Sequence, residues 1–291
     1  MQTFVQAVIL GVLTGGLYAL MASGLTLVFG IMRVINVAQG AFVILAAYLS
    51  YSLFGHLGLD PFLSILLLMP AMFVAGVLTQ LLFVRSLRGE HASEMSLLVT
   101  WALALGIEGL LSIGYKTTVR ATNTGYANKS WTLGSYRFSE PRVYGFAASV
   151  VILLGLYSLL RFTRFGRSIR AVVQNPTSAR LLGVNERLVS ALGFGIGAAT
   201  AAAAGALYGI VYPFNPGSHY DLISRLLSII VLGGLGSVGG AVLAAMLLGV
   251  TESVVAVEYS PTWASMSFFA ILILVLLVRP QGFFGLRERV L

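Results

Sequence analysis

Charge and cysteine are both scarce in this sequence. Only 10% of the 291 residues are charged, and there is no cysteine. Because a soluble domain usually carries about 25% charged residues, this chain cannot cover itself with a hydrated surface. The absence of cysteine excludes disulfides, thiol catalysis and cysteine metal sites. The three histidines are scattered and no HExxH spacing occurs, so the sequence predicts neither a catalytic nor a metal site.

Lysine is almost absent as well, and it occurs only as Lys116 and Lys129 within one polar segment. No phosphate-binding loop of the form GxxxxGK[ST] is therefore available, so the chain has no Walker site of its own for ATP. We expect no cofactor to be bound by this chain. The net charge of +8 favours contact with membrane headgroups and a defined membrane orientation over nucleic acid binding.

Long uncharged runs dominate what is present. A helix needs roughly 20 apolar residues to cross the hydrocarbon core, and nearly every run reaches that length. Buried helices of a soluble protein would explain one such run but not seven. We predict an all-α polytopic membrane protein with about eight or nine transmembrane helices in a single domain, residues 1–291. The runs are Met1–Met32, Val34–Leu59, Pro61–Val84, Val143–Leu160, Leu188–Tyr220, Leu226–Thr251 and Tyr259–Val278.

Two of the predicted spans are broken by glycine, near residues 30–40 and 233–240. Irregular backbone is tolerated in a membrane mainly where it faces protein or a wet cavity. Two such breaks, one in each half of the chain, indicate a substrate pathway near the bilayer midplane. Close helix packing through glycine is the alternative, and for 233–240 both interpretations are equally supported. The pathway candidates in the breaks are Asn36, Gln39, Gly40, Gly233, Gly234 and Gly236.

The distribution of arginine predicts the orientation. Cytoplasmic loops carry an excess of positive charge, and arginine is concentrated at about residues 161–188, after the third span and in the C-terminal segment. We place these three segments in the cytoplasm. The polar segment at about 115–142 is also basic, but three basic segments favour the opposite side. We therefore predict that 115–142 is an extracytoplasmic loop with a hairpin near Trp131–Phe138.

The arginine-rich connector contains the signals of a short, well-terminated helix at about Pro176–Leu182. Asn175 can cap its first turn, Pro176 suits the first helical position, and Gly183 can close it. Ala179 and Leu182 lie three residues apart and are expected on one face. A loop that only sets topology needs no such caps, whereas a helix that enters a partner's groove does. The alternative is a basic loop lying on lipid.

Two acids, Glu108 and Glu252, fall inside hydrophobic stretches. An intramembrane carboxylate costs several kcal/mol unless it is paired or hydrated, and no lysine or arginine lies three or four positions away from either. Both are therefore candidates for the pathway. Asp221 and Arg225 form a plausible i,i+4 pair at a helix start, with no further role implied.

Five sequence blocks give the chain a resemblance to a known family. They are Gly30–Gly40 (GIMRVINVAQG), Arg170–Asn185, Val231–Ala241 (VLGGLGSVGGA), Gly249–Glu252 (GVTE) and Arg279–Gly285 (RPQGFFG). In this order they resemble the permeases of ABC importers of the branched-chain amino acid (LivH) type. One departure is Gln39-Gly40, where the family usually has His-Gly, and this removes a titratable group.

The resemblance implies a permease subunit, not an enzyme, in a bacterial inner membrane. It implies as partners a second, homologous permease subunit, two cytoplasmic ATPase subunits that hold ATP and magnesium, an extracytoplasmic solute-binding protein and membrane lipid. The substrates would be branched-chain amino acids or related small polar solutes. A stand-alone secondary transporter that uses an intramembrane glutamate, and a channel or scaffold, are the alternatives. The residues expected to couple to the ATPase are Arg170, Asn175, Pro176, Ala179, Arg180, Leu182 and Gly183.

Overall fold

A computed structural model describes residues 2–85, 92–127, 129–133, 136–279 and 281–284. The chain is almost entirely helical, as predicted. Most of the expected turn at 85–94 and the arginines beyond residue 284 lie outside the described residues. The helices are α1 (Gln2–Met32), α2 (Gln39–Leu57), α3 (Pro61–Thr79, continued by a π-turn Gln80–Val84), α4 (Ala92–Tyr115), α5 (Glu140–Phe162), α6 (Arg164–Gln174), α7 (Pro176–Leu181), α8 (Glu186–Val211), α9 (His219–Gly233), α10 (Val238–Glu258) and α11 (Pro261–Val278).

Eight of the helices in the described part are long and apolar enough to cross a membrane. They are α1, α2, α3 with its π-turn, α4, α5, α8, α10 and α11. This confirms the prediction of an all-α polytopic membrane protein with about eight spans. The hydrophobic stretch after residue 220, which is too long for one span, is divided into α9 and α10.

α8 lies at the centre of the bundle and packs against α1, α2 and α3. Of the residues in its most apolar stretch, 89% are buried, against 11% for α11 at the periphery. The sequence of α8 explains this position because it is built from alanine and glycine, which let backbones approach closely where water cannot drive association. At Gly24 of α1, a side chain would meet the carbonyl oxygen of Gly197 at 2.7 Å.

The two ends of the bundle differ in chemistry. We call the end formed by residues 30–34, 80–85, 162–190 and 233–237 the basic end, because most of the described arginines outside the loop at 115–142 lie there. The C-terminal segment joins it, since the backbone N–H of Phe283 donates to the carbonyl oxygen of Leu232 at 2.8 Å. The described parts of the three segments that we predicted to share one side of the membrane therefore lie at one end of the bundle.

The opposite end, which we call the hairpin end, carries β1 (Ser130–Leu133) and β2 (Tyr136–Ser139). They pair antiparallel with Trp131 opposite Phe138, which confirms the hairpin predicted near these residues. The Tyr126 hydroxyl ties this region to the start of α3 by donating to the Asp60 carboxylate at 3.0 Å. Burial, and then this hydrogen bond, raise the pKa of Tyr126 above its ordinary value.

Candidate substrate pathway and coupling surface

The first break, between α1 and α2, is held by a buried polar network. Asn36 Nδ2 donates to Gln39 Oε1 at 3.3 Å, and Gln39 Nε2 donates to the carbonyl oxygen of Gly197 in α8 at 3.1 Å. Thr100 of α4 accepts a hydrogen bond from the backbone N–H of Val37 at 3.1 Å. Asn36 Oδ1 is buried and has no hydrogen-bond partner among the described residues. The break is therefore attached to α4 and α8 and keeps one unsatisfied acceptor.

Gly40 brings the start of α2 against the start of α9. A side chain at this position would meet the carbonyl oxygen of His219 at 2.7 Å and the backbone nitrogen of Ile223 at 3.3 Å. The absence of a side chain is what permits this approach. The first break consequently lies beside the first turn of α9.

Glu108 of α4 faces that same turn. The Tyr220 hydroxyl donates to Glu108 Oε2 at 2.8 Å, and the His219 Nε2 atom lies 3.9 Å from the same oxygen. The His219 side chain is 2% exposed, and its Nδ1 atom lies 2.9 Å from the carbonyl oxygen of Pro216. The three histidines are scattered along the sequence, but the fold brings His219 beside Glu108. Histidine and glutamate are both rare inside a membrane, where ionisable side chains usually pair with one another. That rarity could have predicted a contact between His219 and Glu108.

Glu252 is not a lone charge, because Arg225 pairs with it. The guanidinium contacts the Glu252 carboxylate through Nη1 and the Asp221 carboxylate through Nε, the latter at 2.8 Å. Nη1 also donates to the Tyr18 hydroxyl oxygen at 3.1 Å, and Nη2 donates to the Ser265 hydroxyl at 3.2 Å. Arg225 thus connects α1, α9, α10 and α11. Local spacing implied only its pair with Asp221, since the larger part of its environment lies on other helices.

The second break lies at the basic end, not near the middle of the bundle. A side chain at Gly233 would meet the carbonyl carbon of Gly240 at 2.5 Å, so the last turn of α9 packs directly on the first turn of α10. Gly234 and Gly236 form the turn with φ of 96° and 83°, and Gly236 packs on Gly30 at the end of α1. The geometry of this break favours the packing interpretation over the pathway.

α7 has the N-terminal cap and the terminating glycine that its sequence predicts. The Asn175 side chain accepts a hydrogen bond from the backbone N–H of Ser178 at 3.0 Å, and Pro176 occupies the first helical position. Gly183 follows with a left-handed φ of 82°. The predicted short helix is therefore present, and α6 precedes it where we had assigned only an arginine-rich stretch.

Ala179 and Leu182 do not share a face, so that prediction was wrong. Ala179 is 1% exposed and packs with Ile169 of α6 and Val189 of α8. Leu182 is 82% exposed because it is the C-cap residue and has left the helical path, with φ of −84° and ψ of 10°. Ala179 attaches α7 to the bundle, and Leu181 and Leu182 project from it.

The two arginines expected to couple to a partner both make contacts within the connector. Arg170 donates to the carbonyl oxygen of Leu160 at the end of α5, and Arg180 pairs with Glu186 at the start of α8. The Arg180 side chain is 64% exposed, and exposed pairs contribute at most about 1 kcal/mol. These contacts orient the connector more than they stabilise it.

A cavity of about 830 Å³ separates α7 from the end of α1 and the π-turn of α3. Its wall includes Arg33, Arg85, Arg180 and Arg187, and Glu186 is the one acid among its described lining residues. α7 is consequently attached along one side only. Within the described part of the chain, no group of three or more histidine, aspartate or glutamate side chains is arranged to hold a metal ion.

These features define the class of the protein: it is a multi-pass membrane transport protein whose helices are interrupted twice and whose basic end carries an external helix. The sequence matches the family described as branched-chain amino acid transport system / permease component over residues 7–277. The chain belongs to this family, and it is a permease component and not an enzyme.

Individual relatives match over nearly their whole length. The high-affinity branched-chain amino acid transport system permease protein BraD of Pseudomonas aeruginosa is 32% identical, covering 98% of this chain and 97% of that protein. The corresponding permease LivH of Escherichia coli K12 is 31% identical over 98% and 96%. A probable LivH of Methanocaldococcus jannaschii is 25% identical over 94% and 90%. No solved structure matches significantly.

Proposed function

We propose that the chain is one membrane subunit of an importer for branched-chain amino acids or related small polar solutes, driven by ATP hydrolysis on separate cytoplasmic subunits. The names of its relatives supply the substrate class. Because the chain lacks the Walker lysine, ATP hydrolysis requires separate ATPase subunits, on which ATP and magnesium would be bound. A solute-binding protein would deliver substrate at the hairpin end.

The observation that carries this proposal is the form of α7. It is a capped helix held to the bundle by the buried Ala179, and it presents Leu181 and Leu182 at 86% and 82% exposure. Two projecting leucines beside a set of arginines are unfavourable in water and suit a groove in a partner. An ATPase subunit whose groove receives this tip would transmit its motion to α6 and α8, which contact α7 directly.

The orientation of the proposed subunit follows from charge. The basic end would face the cytoplasm of a bacterial cell across the inner membrane, because arginine-rich segments are retained on that side. There the connector would contact anionic lipid headgroups as well as the ATPase. The hairpin end, with the loop at about 115–142, would face outwards.

The second permease subunit is proposed to be a related chain and not a second copy. The permease LivM of Escherichia coli K12 is 27% identical to this chain over 91% of its length, covering 67% of LivM. The two E. coli permeases carry different names within one transport system, so we expect a heterodimer here. The peripheral helices α4, α5 and α11, whose spans are 17%, 17% and 11% buried, offer apolar surface for that subunit and for lipid.

Leu182→Arg tests the docking of α7. We expect this variant to insert and fold normally, because Leu182 is exposed, but to lose most of the ATPase that co-purifies with the solubilised complex. Leu57→Arg is the matched control, since Leu57 is a 73% exposed leucine at the other end of the bundle. Equal ATPase recovery from both variants would contradict the docking role.

Transport itself is tested in vesicles. The complete complex should accumulate leucine only with ATP and a binding protein. Uptake that persists without ATP and collapses with a protonophore would instead support the stand-alone secondary transporter. In that case, Glu108 or Glu252 would be the coupling site.

A further inference from the structure

The cavity between α7 and the ends of α1 and α3 carries positive charge that the protein does not compensate. Four arginines and one glutamate among its described lining residues give it a formal net charge of +3. The glutamate, Glu186, is already paired with Arg180. Arg33, Arg85 and Arg187 are exposed, and none of them forms an ion pair within the described part of the chain. Three guanidinium groups therefore border one cavity without a counter-charge.

The cavity lies at the depth of the lipid headgroups. Its wall contains the last residues of two membrane spans, Met32 and Val84, and the first residue of a third, Glu186. The ends of membrane-spanning helices mark the boundary between the hydrocarbon core and the polar headgroup region. A ligand can therefore reach this cavity from the membrane as well as from water.

The chemistry of the wall selects phosphate. A guanidinium group presents its N–H donors in a planar fork that matches two oxygens of one phosphate. The first turn of α8 lies at the same wall and adds the positive end of a 26-residue helix. Gln80 makes the deeper wall polar as well, since it is 3% exposed and its Oε1 atom has no hydrogen-bond partner among the described residues.

The size and charge of the cavity favour a ligand with more than one phosphate group. Its volume of about 830 Å³ is in the upper part of the range of small-molecule sites, about 300–1,000 Å³. A single phosphodiester carries one negative charge, and it would leave most of the positive charge of the wall uncompensated. A ligand with two phosphodiesters matches the wall more closely.

The cavity and the surface proposed to dock the ATPase lie on different sides of α7. Among the described lining residues, α7 contributes Pro176 and Arg180, which lie four positions apart and so share a face. Leu181 and Leu182, which project from α7, are not part of that wall. An ATPase subunit seated on the two leucines does not have to cover the cavity.

We propose that this cavity binds the headgroup of an anionic phospholipid from the leaflet at the basic end, with Arg33, Arg85 and Arg187 as phosphate ligands. A lipid with two phosphodiester groups, such as cardiolipin, is preferred over a lipid with one. Because the wall combines the ends of α1 and α3 with the connector and the start of α8, the bound headgroup links the connector to the bundle. This inference goes beyond the proposed function and does not depend on which solute is transported.

Lipid titrations of the delipidated complete complex in detergent test the proposal. The readout is the fraction of the permease that stays soluble after heating. We expect cardiolipin to protect the permease at lower concentration than phosphatidylglycerol, and zwitterionic phosphatidylcholine to give no such protection. Pyrophosphate, which has two phosphate groups and no acyl chains, distinguishes a free anion from a lipid. Protection by phosphatidylcholine equal to that by cardiolipin would overturn the proposal, equal protection by pyrophosphate would overturn the lipid assignment, and equal protection by phosphatidylglycerol would overturn the preference for two phosphates.

Variants then locate the site. Arg33→Gln combined with Arg85→Gln should weaken cardiolipin binding about 100-fold, since each charge-assisted hydrogen bond that is lost costs about tenfold. Arg161→Gln combined with Arg164→Gln is the matched control, because it removes the same charge from exposed connector arginines that do not line the cavity, and it should retain most of the wild-type affinity.

Equal weakening in the two double variants would show that diffuse surface charge attracts the lipid, and it would overturn the cavity assignment. If the variant at Arg33 and Arg85 does not fold, Arg187→Gln against Arg164→Gln makes the same decision, with an expected difference of about tenfold. ATP-driven leucine uptake by the wild type judges the proposed function separately.

Discussion

Removing one member of the Arg225–Glu252 pair should destabilise the bundle strongly. The two side chains are 12% and 17% exposed, so solvent screens the interaction little. Breaking a buried pair from one side costs about 3–5 kcal/mol, because the remaining charge is left uncompensated. In Glu252→Leu, Arg225 keeps Asp221, Tyr18 and Ser265, so we expect a loss near the lower limit of about 3 kcal/mol. In Arg225→Met, the one partner left to Glu252 among the described residues is the Tyr18 hydroxyl, and we expect a loss of about 4 kcal/mol.

The double variant decides whether the pair is the cause. Arg225→Met with Glu252→Leu removes both charges, and its free energy of unfolding should return to within about 1 kcal/mol of the wild type. The measurement is equilibrium unfolding by SDS in mixed micelles, followed by far-ultraviolet circular dichroism, as a double-mutant cycle. A cycle of Arg225→Met with Glu258→Leu is the control and should be additive. If the losses in the Arg225–Glu252 cycle also simply add, the two charges are not coupled and the argument fails.

Three further predictions concern the first break, the central helix α8 and the short helix α7. Gln39→Leu should destabilise the bundle by about 2 kcal/mol, because it leaves buried polar groups unpaired, and the same SDS titration would measure this. Gly205→Ala should prevent normal folding, since a side chain there would overlap the backbone of α2, whereas Gly109→Ala points into open space and should be tolerated; detergent-extracted monomer is the readout. Asn175→Ala should cost α7 about 1 kcal/mol and lower ATPase recovery partially, and unchanged recovery would show that the cap is not needed for docking.

The sequence predicts the helices well because lipid imposes a simple rule. Every backbone polar group in the hydrocarbon must be satisfied within the segment, so an apolar run of sufficient length has to be a helix. The caps of α7 were predictable for a similar reason, since a helix end needs specific residues at fixed offsets.

What the sequence does not determine is which face or depth a residue occupies. Leu182 follows Ala179 by three residues, but the helix ends between them, and one further residue of helix would have placed both on the same side. The backbones of Gly233 and Gly240 pack directly on each other at the basic end of the bundle, although the same glycines would suit a break at the midplane. Both outcomes depend on where neighbouring helices end, and the hydrophobic periodicity of the sequence contains no information about those positions.

The two intramembrane acids illustrate the same limit. Neither has a lysine or arginine three or four positions away, yet Glu252 meets a permanent cation, whereas the described contacts of Glu108 are with a phenol and a ring nitrogen. A carboxylate neutralised by Arg225 can hold helices together but has little electrostatic energy left for a ligand. Glu108 has no lysine or arginine partner among the described residues and accepts a hydrogen bond from the Tyr220 hydroxyl instead. Tertiary pairing, not the presence of the charge, therefore distinguishes the two acids.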